Sequence, residues 1–151
     1  MYRLKPGIKK DMVRRWALPD RIFFGYGACH ILAGVYLAEE PLTGFYAERI
    51  IPRGDAPGGH MYVTDGTVVF DYHGYSRRER LLAHHRKCWS TDCPGWDCDI
   101  ETVDFPILGA HALNARKMLG PDQYLFDAVS RARAFIARIP HEDRSARLRQ
   151  N

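Results

Sequence analysis

The sequence predicts a single α+β domain, a small antiparallel sheet with helices before and after it. Three observations carry this. Residues 28–38 place Ile31, Leu32, Val35 and Tyr36 on one helical face. Asp65-Gly66 joins two runs rich in β-branched and aromatic residues, the composition of a two-residue hairpin turn. Beyond residue 107 apolar residues recur at helical spacing, first Leu108, Ala112, Ala115 and Leu119, then Leu125, Val129, Ala132 and Ile136. A chain of 151 residues falls within the size of one domain. Its core is expected at 21–105, its C-terminal helices at 107–139, and a frayed tail at 140–151.

The elements follow in order. A basic lead-in carries a short helix at Met12–Trp16, ended by Pro19. Residues 21–27 read as a turn-rich approach to the apolar helix. Residues 45–52 read as a strand stopped by Pro52, and 53–59 as a loop by composition. The hairpin follows, with His60–Thr64 and Thr67–Asp71 as its arms. Ser76 and Glu79 stand at capping-box spacing and predict a helix from about Arg77 to Lys87. Residues 88–98 read as a cysteine-rich loop, and Ile100–Phe105 as a short strand. Two helical patterns complete the chain, the first stopped by Gly120-Pro121 and the second, 123–139, by Pro140.

Composition narrows the function classes. Hydrophobic residues make up 46% and charged residues 26%, a globular balance that excludes a disordered or collagen-like chain. No apolar run reaches the roughly 18 residues of a membrane helix, so no membrane partner is expected. The N-terminal stretch is charged and lacks the apolar segment of a secretion signal, which points to the cytoplasm and to reduced thiols. The net charge of +4 comes largely from the ends. No aromatic residues interleave with those charges as single-strand binders require, so solvated surface is the first reading and nucleic-acid contact the lesser one. Nothing in the chain specifies an oligomeric state.

Chemistry concentrates on Cys29, His60 and Asp71. Cys29 follows Gly25-Tyr26-Gly27-Ala28 and opens the apolar helix, where the helix dipole favours a thiolate. If Asp65 and Gly66 form a two-residue turn, Thr64 pairs with Thr67 and His60 falls opposite Asp71. Their Cβ atoms would then lie about 4.5–5.5 Å apart on one face. A carboxylate there would orient the imidazole and stabilise its charged form, as in a nucleophile–base–orienter arrangement. Tyr26 and Gly27 beside the thiol, Tyr62 on the His60 face, and His73 just past the strand are the candidate substrate-pocket residues. His30 and His73 are competing bases, weaker than His60 on spacing.

The segments GACHILAGVYL, GGHMYVTDG and VVFDYHGYS, within residues 25–76, resemble the papain-like fold in its broad transglutaminase-like and NlpC/P60-like cysteine hydrolases. The resemblance is one of element order: cysteine at a helix start, histidine opening a strand, an acidic residue on the next. It implies Cys29 as nucleophile, His60 as general base and acid, Asp71 as orienting residue, and a bacterial source. The chain departs from papain proper. Ile22-Phe23-Phe24 stands where an oxyanion-hole glutamine would, and His30 follows the cysteine in place of tryptophan. Amidase, isopeptidase, deamidase or acyl-transfer chemistry remains open.

His84, Cys88, Cys93 and Cys98 form a second cluster. Three thiols and an imidazole are a Cys₃His donor set for a structural zinc, with His85 a substitute ligand, but the Cys-x4-Cys-x4-Cys spacing is looser than a zinc knuckle. Ordinary thiols are the first reading, zinc the second, a disulfide the third. The expected function is therefore a cysteine hydrolase or acyltransferase that needs no cofactor and acts on a peptide or other amide, isopeptide or ester. The alternatives are a non-catalytic, zinc-stabilised binding module that contacts nucleic acid or a protein through its basic ends, and a papain-like scaffold with an inert Cys29.

Overall fold

The structure, a computed structural model, describes residues 4–150. Among them the chain is mixed α+β, with seven α-helices and one open, antiparallel five-stranded sheet. The helices are α1 Met12–Trp16, α2 Asp20–Gly25, α3 Cys29–Glu39, α4 Arg78–Asp92, α5 Ala110–Asn114, α6 Ala128–Ala137 and α7 His141–Arg149. The strands are β1 Tyr46–Pro52, β2 His60–Thr64, β3 Val68–Asp71, β4 Gly74–Arg77 and β5 Cys98–Thr102, in the order β4-β3-β2-β1-β5.

The central strands bury both faces, and their alternation sorts the side chains into two cores. Met61, Val63 and Phe70 pack with Ile31, Leu32, Val35 and Tyr36 of α3, and with Ala132, Phe135 and Ile136 of α6. Tyr62 and Val69 point the other way and pack with Leu81 of α4, Ile50 and Trp96. Helices thus cover the sheet on both sides. Gly34 lets α3 come close to the following segment, because a Cβ there would lie 2.7 Å from Leu108 Cδ2 and 2.9 Å from Ile107 Cγ2. Gly34→Ala would gain about 1 kcal/mol of helix propensity but overpack this contact at about 1–3 kcal/mol. We expect a lower urea midpoint with an unchanged slope; an increased midpoint would show that Leu108 yields freely.

Several elements differ from the sequence expectation. The stretch after Pro19 is a helix, α2, because Phe23 and Phe24 are fully buried against the main core. Six residues are too few for a periodic signal. Ser76 does not cap α4: it sits in β4 opposite Val69, and Arg77 is the N-cap. Helix α4 runs on to Asp92, so the expected 88–98 loop is divided among α4, a short turn and β5. The region 108–119 holds only the five-residue α5. Helix α6 starts later than expected, where the Asp127 side chain accepts from Ser130 N at 2.9 Å. The tail is not frayed over its described part. It folds as α7 against β3 and β4, where His141 accepts or donates at Tyr75 Oη (2.8 Å), Ser145 is buried, and Arg149 pairs with Asp65.

Candidate active site

The hairpin turn is centred one residue later than expected. Thr64 pairs with Val69 and Val63 with Phe70. Asp65 is the reason: its Oδ1 accepts from Thr67 N (2.9 Å) and Val68 N (2.8 Å), while Thr64 Oγ1 donates to Val68 O and accepts from Gly66 N. With Asp65 N donating to Val68 O at 3.2 Å, these bonds close the turn across Gly66-Thr67. His60 is therefore diagonal to Asp71 and not opposite it. Diagonal neighbours on one face lie about 7–8 Å apart, within reach of long side chains. The pair still forms, with His60 Nε2 donating to Asp71 Oδ2 at 3.0 Å. The other carboxylate oxygen accepts from His73 N at 2.8 Å. His60 and Asp71 are only 6% and 4% exposed, so little solvent screens their interaction.

Cys29 is the first residue of α3, which packs on β2. Because Asp71 occupies Nε2 of His60, Nδ1 is the nitrogen left for the sulfur. Burial alone would push the Cys29 thiol up, but hydrogen bonding and charge from His30 and from His60 outweigh it and hold the thiol well below its ordinary value. Burial alone would push His60 down. Hydrogen bonds and charge from Asp71 and Cys29 instead raise it to about 10. Asp71 is held far below the usual carboxylate range, its burial outweighed by bonds to His60 and His73. All three shifts favour the charged forms, thiolate on Cys29, imidazolium on His60 and carboxylate on Asp71.

Rings fix the His60 imidazole. Tyr72 meets it edge-on at 5.3 Å and His85 stacks on it at 5.8 Å. His85 Nε2 donates to Gly58 O at 2.7 Å, and burial followed by the His60 charge lowers its pKa to about 4. It is a neutral neighbour to a charged one. On the Cys29 side, Gly27 adopts φ +106°, and any side chain there would run into the Arg15 guanidinium. Its carbonyl accepts from Arg15 Nη2 and from Tyr124 Oη, both at 2.7 Å, which fixes the chain two residues before the thiol.

Cys29 and His60 open on one pocket of about 670 Å³. Tyr26 and Gly27 line it. Tyr62 does not: it is fully buried in the second core and donates to Glu48 Oε2 at 2.6 Å, a carboxylate also held by Arg78. His73 does not either; it is exposed, 3.5 Å from Asp71 Oδ1, and lines a separate groove beside α6 and α7. His30 gains weight, since it lies against Cys29 with its Nε2 2.7 Å from Leu119 O. The sequence reading missed Arg15, Tyr72 and Trp89 as pocket residues and saw His85 only as a metal ligand. Arg15 carried no local signal, because it stands in a basic stretch that reads as surface.

The second cluster is dispersed. His84 Nε2 lies 3.5 Å from Cys88 Sγ, but Cys93 and Cys98 pack against Trp96 and its neighbours. All four cysteines are free thiols. Among the described residues no group of three or more His, Cys, Asp or Glu side chains is placed to hold a metal ion. No described helix is long and apolar enough to cross a membrane.

The fold and site define an α+β chain with a cysteine–histidine–aspartate series at a pocket. No family model matches the chain, and no curated protein or solved structure matches it.

Proposed function

We propose that the protein is a cysteine-dependent hydrolase or acyltransferase with a papain-like core, acting on an amide, isopeptide or ester. One observation carries the reading. A thiol at a helix start faces an imidazole whose far nitrogen is held by a buried carboxylate, on the wall of an open pocket. The Cys29 thiolate attacks the carbonyl carbon and the carbonyl π electrons move to oxygen. On collapse the C–N or C–O bond breaks, and the His60 imidazolium gives its proton to the leaving group. The thioester is then resolved by water or an amine, whose proton passes to His60. Backbone N–H groups at the start of α3, beside Cys29, serve as donors to the oxyanion in this reading.

Site-resolved alkylation across pH tests the reading, with Cys88, Cys93 and Cys98 as internal controls. We expect Cys29 to titrate well below the free-thiol value of about 8.5 and to dominate labelling near pH 6. Cys98, raised by burial, should titrate last. A panel of activated esters and amides should then leave a thioester adduct on Cys29 by intact mass. Labelling of Cys29 in step with the other thiols would overturn the assignment.

A further inference from the structure

The pocket wall has a one-sided charge. Lys9, Arg15, Arg49, Arg116 and Lys117 line it, and among the described residues no Asp or Glu does. Arg49 is neutralised by Glu101 at 3.1 Å. The other four have no carboxylate within ion-pair distance among the described residues. Arg116 lies over the Phe105 ring at 3.8 Å and Arg15 near that of Tyr124 at 5.3 Å, contacts that leave their charge in place.

Arg15 is the most telling. It is 9% exposed, its two terminal nitrogens donate to backbone carbonyls of Lys9 and Gly27, and its buried Nε–H has no partner among the described residues. A guanidinium does not lose its proton, so burial without an anion is costly unless a ligand supplies one. Lys117 adds a second sign, with a left-handed φ of +59° at a non-glycine residue on the rim. Such strain concentrates where a side chain is held for binding.

We infer that this pocket takes a substrate carrying an oxyanion group, a carboxylate or a phosphate, close to the bond that Cys29 attacks. This rests on the thiol–acyl reading above. The four unpaired cations hold the anionic group, and Cys29 faces the adjacent carbonyl. A neutral acyl compound of the same size binds the same walls without that anchor.

Two nearly isosteric reagents test this on the intact protein: iodoacetate, which is anionic, and iodoacetamide, which is neutral. The iodoacetate-to-iodoacetamide rate ratio at Cys29, divided by that of free cysteine, should reach at least about tenfold at low salt, the lower end of focusing by a charged cleft. It should fall as salt is added, and fall toward the free-cysteine value in Lys9→Gln/Arg116→Gln/Lys117→Gly, whose sites are exposed, with the remaining excess carried by Arg15. Protection of Cys29 by inorganic phosphate would assign a phosphate-bearing substrate, and protection by succinate a carboxylate-bearing one. A ratio equal to that of free cysteine, with fast iodoacetamide labelling, would overturn the inference and leave the thiol reading standing. Iodoacetamide labelling no faster than free cysteine at neutral pH would remove the thiol reading and the inference with it.

Discussion

Replacing His60 with Gln is expected to slow formation of the Cys29 thioester by about 10²–10⁴-fold, the range for losing a positioned acid or base. The imidazole has two tasks in the proposed mechanism. Its charge holds the thiol low, and its proton goes to the leaving group. Glutamine keeps the approximate volume and can still meet Asp71, so loss of folding is not the expected cause. His30 also lowers the thiol, so some thiolate should survive in the variant. The pH profile separates the two tasks. In the wild type the rate should rise as Cys29 deprotonates, hold through neutrality, and fall as pH rises through about 10, where His60 loses its proton. The variant should lose that alkaline limb. Single-turnover acylation across pH measures this; a variant with the wild-type rate and both limbs would remove His60 from the chemistry.

The second large effect is on stability. Asp71→Ala should cost about 3–5 kcal/mol, the loss seen when one member of a buried charge pair is removed. The carboxylate is 4% exposed and bonds both His60 and the backbone of His73. The pH dependence follows from the shifts. Asp71 is lowered in the folded state, so its contribution is present above its ordinary value of 3.8 and fades as pH falls through the folded value. His60 is raised, so its contribution is complete below 6.5 and is lost as pH rises toward about 10. Cys29 opposes that loss: the unfolded thiol keeps its proton up to about 9, while the folded one releases it at lower pH. Wild-type stability should therefore decline more steeply above about 9 than below it. In Asp71→Ala the acid-side dependence should shrink. Urea midpoints from pH 3 to about 10 check both statements; equal midpoints for the two proteins near pH 6 would contradict them.

The candidate site was legible in the sequence for a reason that survived an error of register. The hairpin pairing is shifted by two residues from the expected register, yet His60 and Asp71 remain on one face. Side chains alternate with period two, so an even shift preserves the face and only an odd one would have separated the pair. Cys29 was legible because the apolar run Ile31–Tyr36 begins immediately after a glycine-rich approach, which marks the helix start. Tyr62 was given the correct face and the wrong role. It lies one alternation further along β2, under α4, where the second core closes over it. Helices α2 and α7 were missed because one is too short for periodicity and the other, HEDRSARLR, is polar. Its anchors are specific contacts of His141 and Arg149 with distant residues, and not an apolar stripe.

The sequence by itself determined the α+β class, the central hairpin, the helix that opens at Cys29 and the shared face of His60 and Asp71. Each depends on chain periodicity or on a short-range turn or cap, which the residues carry with them wherever they fold. Only the tertiary structure decided that His30 joins His60 at the thiol, that His85 and Tyr72 clamp the imidazole, and that Cys88 stays beside His84 while Cys93 and Cys98 pack in the second core. It also decided that Arg15 swings from a basic lead-in to the Gly27 carbonyl. Those outcomes depend on which elements pack together across long stretches of chain, and burial and desolvation, set by that packing, fix the charges at the site.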